Sequence, residues 1–282
     1  MPGKKLKIKR PESIPAPCVG VPTRANITIY SLLPSGGGVG KQRTIKLIIN
    51  KSLHICMNGV SDISHILRGI EKAVKGKRDK GYIRELDAHK EEYSEKVRNL
   101  LLEGTYRCAP ANHAERVESG KLRKLTYTTD PTDIAVRFAV TTHLYDTLVP
   151  RMHPGVCANI TGRGNLYCIN RAKRFIQQEG YQYYLCEDVR KYFANMDVEV
   201  LLRIIKEESG CSDGLLAVCR EMLTLCESGV AIGTYDCQLW ANVYLMPLDR
   251  FITERWPDAG YIRYCDNIYI FSNDVMELHA IH

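Results

Sequence analysis

The stretch Tyr183-Tyr184-Leu185-Cys186-Glu187-Asp188-Val189-Arg190-Lys191-Tyr192-Phe193 constrains this chain more than any other. Tyr183 to Cys186 is an apolar run with aromatic character, suited to a buried strand. Asp188 stands at the C-terminal edge of that run. A basic pair and an aromatic pair come next, and then Asp197, placed to cap a helix over residues 198–206 in which Val198, Leu201, Leu202 and Ile205 share one face. The order is strand, acid, turn, helix. A carboxylate at a strand end is by itself an ordinary turn residue.

A second stretch gives that acid a companion. Tyr261-Ile262-Arg263-Tyr264-Cys265-Asp266-Asn267-Ile268-Tyr269-Ile270-Phe271 reads as two β-favouring runs meeting at Asp266-Asn267, the pattern of a tight hairpin with the acid at its tip. Two such strands can bring Asp188 and Asp266 together. Paired carboxylates with few other donors suit a hard, oxygen-seeking cation such as Mg²⁺, which keeps places for water and phosphate.

Between the two acids lies Gly229-Val230-Ala231-Ile232-Gly233-Thr234-Tyr235-Asp236-Cys237-Gln238-Leu239-Trp240-Ala241-Asn242, continuing to Asp249, which reads as a loop leading into a helix. With these three segments in this order, the chain resembles reverse transcriptases of the bacterial retroelement type. It is most similar to those of diversity-generating retroelements and to group II intron-like enzymes. Tyr264-Cys265-Asp266-Asn267 resembles the family's Tyr-x-Asp-Asp hairpin, and residues 229–249 resemble its template and primer handling segment. The resemblance runs from about residue 61 to the end of the chain.

The resemblance implies an α+β chain with the right-hand polymerase fold: helical and β fingers, and a partial palm built on an antiparallel sheet. Residues 1–52 are then a basic, flexible arm and linker, 53–182 the fingers and 183–282 an incomplete palm. The implied activity is RNA-directed DNA synthesis, a nucleotidyl transfer to a primer 3′ hydroxyl using two Mg²⁺ ions about 3.5–4 Å apart. The implied partners are an RNA template, a DNA primer or product, deoxynucleoside triphosphates and an accessory protein. By the same resemblance Asp188 and Asp266 are catalytic and bind metal with the Val189 carbonyl. Phe193 crowds the sugar and excludes a 2′-hydroxyl, and Gln238 lies near the nucleotide. Gly233 allows close approach of the backbone to the nascent pair. Lys75, Lys77 and Arg78 reach template phosphates.

Composition sets looser bounds. The 282 residues suffice for one large or two modest domains, and 45% hydrophobic residues suffice for a core. Net charge is +7, from 39 basic and 32 acidic residues, which agrees with a polyanionic partner without requiring one. The 11 cysteines lie mostly in apolar runs and nowhere form two CxxC pairs, so they read as reduced thiols, with Cys211, Cys219 and Cys226 too widely spaced for a zinc knuckle. No apolar run approaches a membrane span of roughly 18 residues, and the basic start is followed by prolines rather than a signal-peptide core. The expectation is a cytoplasmic protein with no membrane partner.

Taken in order, the chain opens with Lys4, Lys5, Lys7, Lys9 and Arg10 and a glycine run at 36–38. Gly40-Lys41 is not a phosphate loop, because Ser35 replaces its first glycine and Gln42 its Mg²⁺-binding hydroxyl. Residues 44–50 have the character of a strand. Helical periodicity begins at Asp62, a charged helix is expected over residues 83–102, and Gly104 ends it. Lys121-Leu122-Arg123-Lys124-Leu125-Thr126-Tyr127 is a strand whose alternation puts Lys121 and Arg123 on one face. In the family the matching strand clamps the incoming triphosphate. Asp130-Pro131 opens a helix to about residue 148. Thr161-Gly162-Arg163-Gly164-Asn165 is a turn in which a glycine-flanked Arg163 at a helix start can approach a phosphate.

Four features depart from the family's pattern. Asn267 stands where the family has a second aspartate, and an amide offers one neutral oxygen in place of a charge. Cys237 replaces a serine, and Asp133-Ile134 replaces an Asp-Arg pair. The remaining palm, its lysine and the thumb have no counterpart before His282. Two other readings compete: a truncated or degenerate relative that binds nucleic acid or a partner without catalysis, and a palm-fold nucleotide cyclase. The cyclase leaves residues 229–249 without a role. With the thumb absent, salt-sensitive binding of nucleic acid with little extension of poly(rA)/oligo(dT) is expected.

Overall fold

The computed structural model describes residues 59–118 and 120–282. The basic arm, the glycine run and the strand expected at 44–50 lie outside the described residues. Helix α1 (Ile63–Val74) buries His65, Ile66, Gly69, Ile70, Ala73 and Val74 along one stripe. That stripe packs on α4 (Pro131–Leu148). Gly69 permits the approach, since a Cβ there would lie 3.0 Å from the Ala139 nitrogen, and His65 Nε2 meets the Ala139 carbonyl at 2.9 Å. The charged helix expected over 83–102 is two helices, α2 (Gly81–Ala88) and α3 (Lys90–Glu103), broken at His89 with φ −121° and ψ 32°. Gly104 closes α3 in the left-handed conformation, φ 67°, that glycine adopts without a Cβ clash.

Helix α4 begins as its sequence dictates. Asp130 accepts a hydrogen bond from the Asp133 backbone N–H at 2.8 Å, and Pro131 occupies the first turn. Most of its residues are buried around the whole circumference, the mark of a helix at the centre of a domain. The antiparallel hairpin of β1 (Asn112–Glu118) and β2 (Lys121–Tyr127) pairs Asn112 with Tyr127 and Arg116 with Arg123. Helix α5 (Asn165–Gln177) then leads to the second sheet.

That sheet has the order β3-β5-β4, from β3 (Tyr183–Asp188), β4 (Gly260–Tyr264) and β5 (Asn267–Ser272), and is antiparallel throughout. Both faces of β4 and β5 are covered, whereas β3, whose apolar run suggested a buried strand, is an edge strand that buries only Leu185 and leaves Tyr184 and Cys186 exposed. Leu185, Tyr261, Ile268 and Ile270 join Ile252 and Leu278 on one side, while Ile262 and Phe271 pack with Phe175 of α5 and Cys157 on the other. The helices after β3 are α6 (Val198–Ser209), α7 (Asp213–Leu223), α8 (Cys237–Tyr244) and α9 (Met246–Arg255), with α10 (Val275–Ile281) after β5. Asp197 caps α6, its side chain accepting from the N–H groups of Glu199 and Val200. The largest core runs from Val60 through α4 to Trp240 and Met246. It therefore continues across residue 182, where the sequence reading divides fingers from palm.

The chain is thus α+β with a central antiparallel sheet and a separate hairpin. Among the described residues no helix is long and apolar enough to cross a membrane, and the cysteines are free thiols.

Candidate active site

The register of the central sheet decides where the two acids meet. Strand β3 pairs with β5 so that Leu185 faces Ile270 and Asp188 faces Asn267. The ladder goes one step further, with the Val189 N–H donating to the Asp266 carbonyl at 3.3 Å. Asp188 and Asp266 therefore lie at the same end of neighbouring strands. The hairpin tip differs by one residue from the Asp266-Asn267 pair read in the sequence. Tyr264 pairs with Asn267 across the hairpin, so the two-residue loop is Cys265-Asp266. A loop of this length needs a left-handed residue, and Cys265 supplies it at φ 55°. Asn267 is the first residue of β5, across from Asp188.

Asp188 is exposed and Asp266 half-buried. Neither forms an ion pair among the described residues, and the Asp266 carboxylate accepts from the Asn267 side-chain amide at 3.5 Å. Both carboxylates are thus carried to one end of the sheet without an internal cation to pair them. Carboxylate oxygens are hard donors, which fit Mg²⁺ and not a soft metal. Burial, and after it the Asp266 carboxylate, push the Cys265 thiol above its ordinary pKa.

Beneath the tip is a buried scaffold. Arg263 is fully buried and donates through Nε and Nη2 to the two carboxylate oxygens of Asp249, each at 2.6 Å. Tyr261 donates to the same carboxylate at 2.5 Å. Arg263 also donates to the carbonyls of Asn242 and Cys265, each at 3.0 Å. Burial opposes the guanidinium charge, yet Asp249 outweighs it and holds Arg263 above its ordinary pKa. One side chain thus ties helices α8 and α9 to the loop residue preceding Asp266. Burying a charge is tolerated only with such pairing.

The segment 229–249 reaches the same tip. The Gln238 amide oxygen accepts from Asn159 at 2.7 Å and lies 4.0 Å from the Cys265 sulfur. Phe193 is half-buried and packs against the main core beside Tyr192, ring centroids 5.5 Å apart. Its carbonyl accepts from Val230 at 2.9 Å, which fastens the turn after Asp188 to the loop after Gly229. Gly229 has φ 66°, and a Cβ there would fall 2.2 Å from the Phe193 carbonyl oxygen. Gly229→Ala is therefore expected to cost about 1–3 kcal/mol, checked by urea unfolding, and to weaken whatever binds between Phe193 and Asp188.

The basic residues named from the sequence are spread more widely. Arg123 is exposed on β2, and its face also carries Leu125 and Tyr127. The side chain of Lys121 lies outside the described residues. Lys75 is exposed just past α1. Arg78 is paired with Asp87 at 2.6 Å. Arg163 turns one guanidinium nitrogen to the carbonyls of His153 and Val156, at 3.1 and 2.8 Å. Lys77 and Gly233 line one cavity, away from the acids.

A second buried network was not foreseen in the sequence. Arg137 bonds Asp133 at 2.7 Å, both oxygens of Asp236 at 3.1 Å and the Met222 carbonyl at 2.9 Å, while the Trp240 indole donates to Asp236 at 2.8 Å. The available signal was a charge inside an apolar run, at Arg137 and again at Arg263, each of which demands a buried acid elsewhere. Among the described residues no group of three or more His, Cys, Asp or Glu is gathered in metal-binding geometry. No protein-family model matches this chain, and no curated protein matches it.

Proposed function

We propose that this chain carries the fingers and palm of an RNA-directed DNA polymerase, which adds deoxynucleotides to a primer 3′ hydroxyl. One observation carries the reading. Asp188 and Asp266 stand at one end of adjacent antiparallel strands without an internal counter-ion, next to a loop tip that Gln238 touches. The sequence resemblance supplies the reaction class.

In this reading Asp188, Asp266 and the Val189 carbonyl would hold Mg²⁺, which would supply charge neutralisation at the attacking and leaving oxygens. The chain's own residues do the positioning. Arg263 fixes the loop that carries Asp266, and the Phe193–Val230 bond fixes the turn that follows Asp188. Asn267 contributes a neutral amide beside Asp266 in place of a further carboxylate, leaving the principal acids as the charged donors. Arg123 is the candidate for triphosphate contact, where a guanidinium offers two parallel donors to phosphate oxygens. Gln238 and Phe193 flank the reacting nucleotide.

The test is single-nucleotide incorporation on an RNA template with a DNA primer, compared in Mg²⁺ and in chelator. Magnesium-dependent addition supports the proposal, and equal signal in both conditions sinks it. For the sugar gate, Phe193→Ala is expected to raise ribonucleotide over deoxyribonucleotide incorporation by roughly tenfold, the scale of a small steric exclusion in a pocket. An unchanged ratio would assign Phe193 to the core alone.

A further inference from the structure

The loop at residues 155–159 lies along strand β4 and ends beside the tip that carries Asp266. Val156 bridges Arg263. The Cys157 N–H donates to the Arg263 carbonyl and the Arg263 N–H to the Gly155 carbonyl, each at 2.9 Å. Arg163 donates to the Val156 carbonyl at 2.8 Å, and Asn242 of α8 donates its side-chain amide to the Ala158 carbonyl, also at 2.8 Å. Ala158 and Ile160 are buried, while Asn159 between them is exposed. Asn159 stands at φ 56°, a left-handed conformation that asparagine adopts more readily than most residues with a Cβ. The loop is thus held to β4 and α8 up to the residue before Asn159, whose side chain reaches the tip.

What that side chain does there is set by polarity. Asn159 Nδ2 donates to Gln238 Oε1 at 2.7 Å and to the Cys265 sulfur at 3.5 Å. The Cys265 thiol approaches the same Gln238 oxygen at 4.0 Å. Both neighbours of that oxygen are donors, so the carbonyl end of Gln238 is turned toward the loop and the tip. A glutamine amide has one acceptor end and one donor end, and fixing the first aims the second. The Gln238 Nε2 group has no partner among the described residues beyond the weak Cys237 thiol beside it, and Gln238 is half-buried in the first turn of α8. Its N–H donors are left for a ligand.

The surrounding charges select a neutral acceptor for those donors. Asp266 adjoins Cys265 in the loop, and Asp188 lies at the same end of the sheet, so a phosphate beside Gln238 is disfavoured by like charge. The guanidinium beneath the tip, Arg263, is fully buried and bonded to Asp249, Asn242 and the Cys265 carbonyl. On a nucleic acid the uncharged acceptors are base edges and sugar oxygens, and a purine N3 or pyrimidine O2 stands on the minor-groove edge of every pair. We propose that Asn159 is a positioning residue: it holds the Gln238 amide so that its N–H donors, and not its carbonyl, face a neutral acceptor of the nascent base pair, a base-edge atom or a sugar ring oxygen. Asn159 lies 79 residues before Gln238 in the chain, and it acts on the ligand only through that side chain. The proposal rests on the nucleic-acid reading above but not on metal binding by the acid pair.

The experiment measures the affinity of the purified chain for an RNA template annealed to a DNA primer, in chelator and without nucleotide, so that no metal-dependent step enters. The primer ends on 2′-deoxyadenosine, on its 3-deaza analogue, which lacks the N3 acceptor, or on its carbocyclic analogue, which lacks the ring oxygen. The parent chain is expected to bind one of the two analogues about fivefold more weakly, the scale of one neutral hydrogen bond. Loss with the 3-deaza end assigns the base edge, and loss with the carbocyclic end assigns the sugar. Gln238→Ala is expected to bind all three ends alike. Asn159→Gly, in which glycine accepts the left-handed backbone and the amide is gone, is expected to lose the same discrimination. Combined with Gln238→Ala it should cost no further affinity, because two residues acting through one hydrogen bond are not additive. Equal binding of the three ends by the parent chain, or retained discrimination in Asn159→Gly, overturns the proposal. So does a further loss in the double variant as large as that of Asn159→Gly alone, which would make Asn159 a structural loop residue. A parent chain that binds no hybrid removes the nucleic-acid reading and this inference together, whereas hybrid binding without magnesium-dependent incorporation counts against the metal assignment alone.

Discussion

Asp188→Ala and Asp266→Ala are each expected to reduce magnesium-dependent deoxynucleotide incorporation to background, while thermal unfolding stays within about 1 kcal/mol of the parent chain. The reasoning starts from exposure and pairing. Asp188 is exposed, Asp266 is half-buried, and neither holds an ion pair among the described residues. Removing either carboxylate leaves no buried partner charge behind, so stability has little to lose. The proposed cation site loses half of its formal negative charge. Metal binding provides a readout separate from turnover: Mn²⁺ titrated against the parent chain by its electron spin resonance signal should find a site that each variant lacks. Retained incorporation by either variant, or equal Mn²⁺ binding, would remove these residues from the proposed site. Asn267→Asp is the informative reverse change. It places a further carboxylate beside Asp266 and across from Asp188 and is expected to tighten Mn²⁺ binding.

Asp249→Ala is expected to be strongly destabilising, costing about 3–5 kcal/mol, because it strands the Arg263 charge in the core. For a chain of this size that corresponds to a fall in melting temperature on the order of 10 °C. Arg263 is fully buried, and Asp249 answers two of its nitrogens at 2.6 Å. Tyr261 loses its acceptor at the same time. Replacing both charges together, Arg263→Met with Asp249→Leu, should recover much of the loss, since a hydrophobic pair of similar volume is often neutral or better than a buried ion pair. That double variant is expected to remain defective in Mn²⁺ binding, because Arg263 no longer holds the Cys265 carbonyl beside Asp266. Calorimetry and the Mn²⁺ titration separate the two effects. A double variant as unstable as Asp249→Ala would show that packing, not the stranded charge, sets the cost.

Much of the local structure was legible in the amino-acid order. Asp130-Pro131 and Asp197 start their helices where side-chain caps allow, and Gly104 stops one where only a left-handed residue fits. The run before Asp188 and the two β-favouring runs that meet near Asp266 are strands, as composition dictates. These are decisions made within a few residues, by dihedral preference and by hydrogen bonds to near neighbours. Even there the break at His89 was missed, since a charged helix and a charged helical hairpin have the same periodicity.

What depended on the whole chain is partnership. The sequence reading brought Asp188 and Asp266 together; the β3–β5 ladder sets Asp188 directly against Asn267, and the hairpin loop is Cys265-Asp266 rather than Asp266-Asn267, a one-residue difference fixed by the register of β4 on β5. Register is chosen by which side chains enter the core on both faces of the sheet, and that requires the helices packed on them. Arg263 stands inside a β-favouring run, and its acid, Asp249, lies 14 residues earlier on another element. Lys77, Tyr127 and Tyr235 come together in one cavity from three separate elements. Local order determined which residues are helix, strand and turn, because those preferences are short-ranged. Only tertiary packing decided which charges meet and which walls face one another, because burial makes distant residues answer for each other's unsatisfied groups.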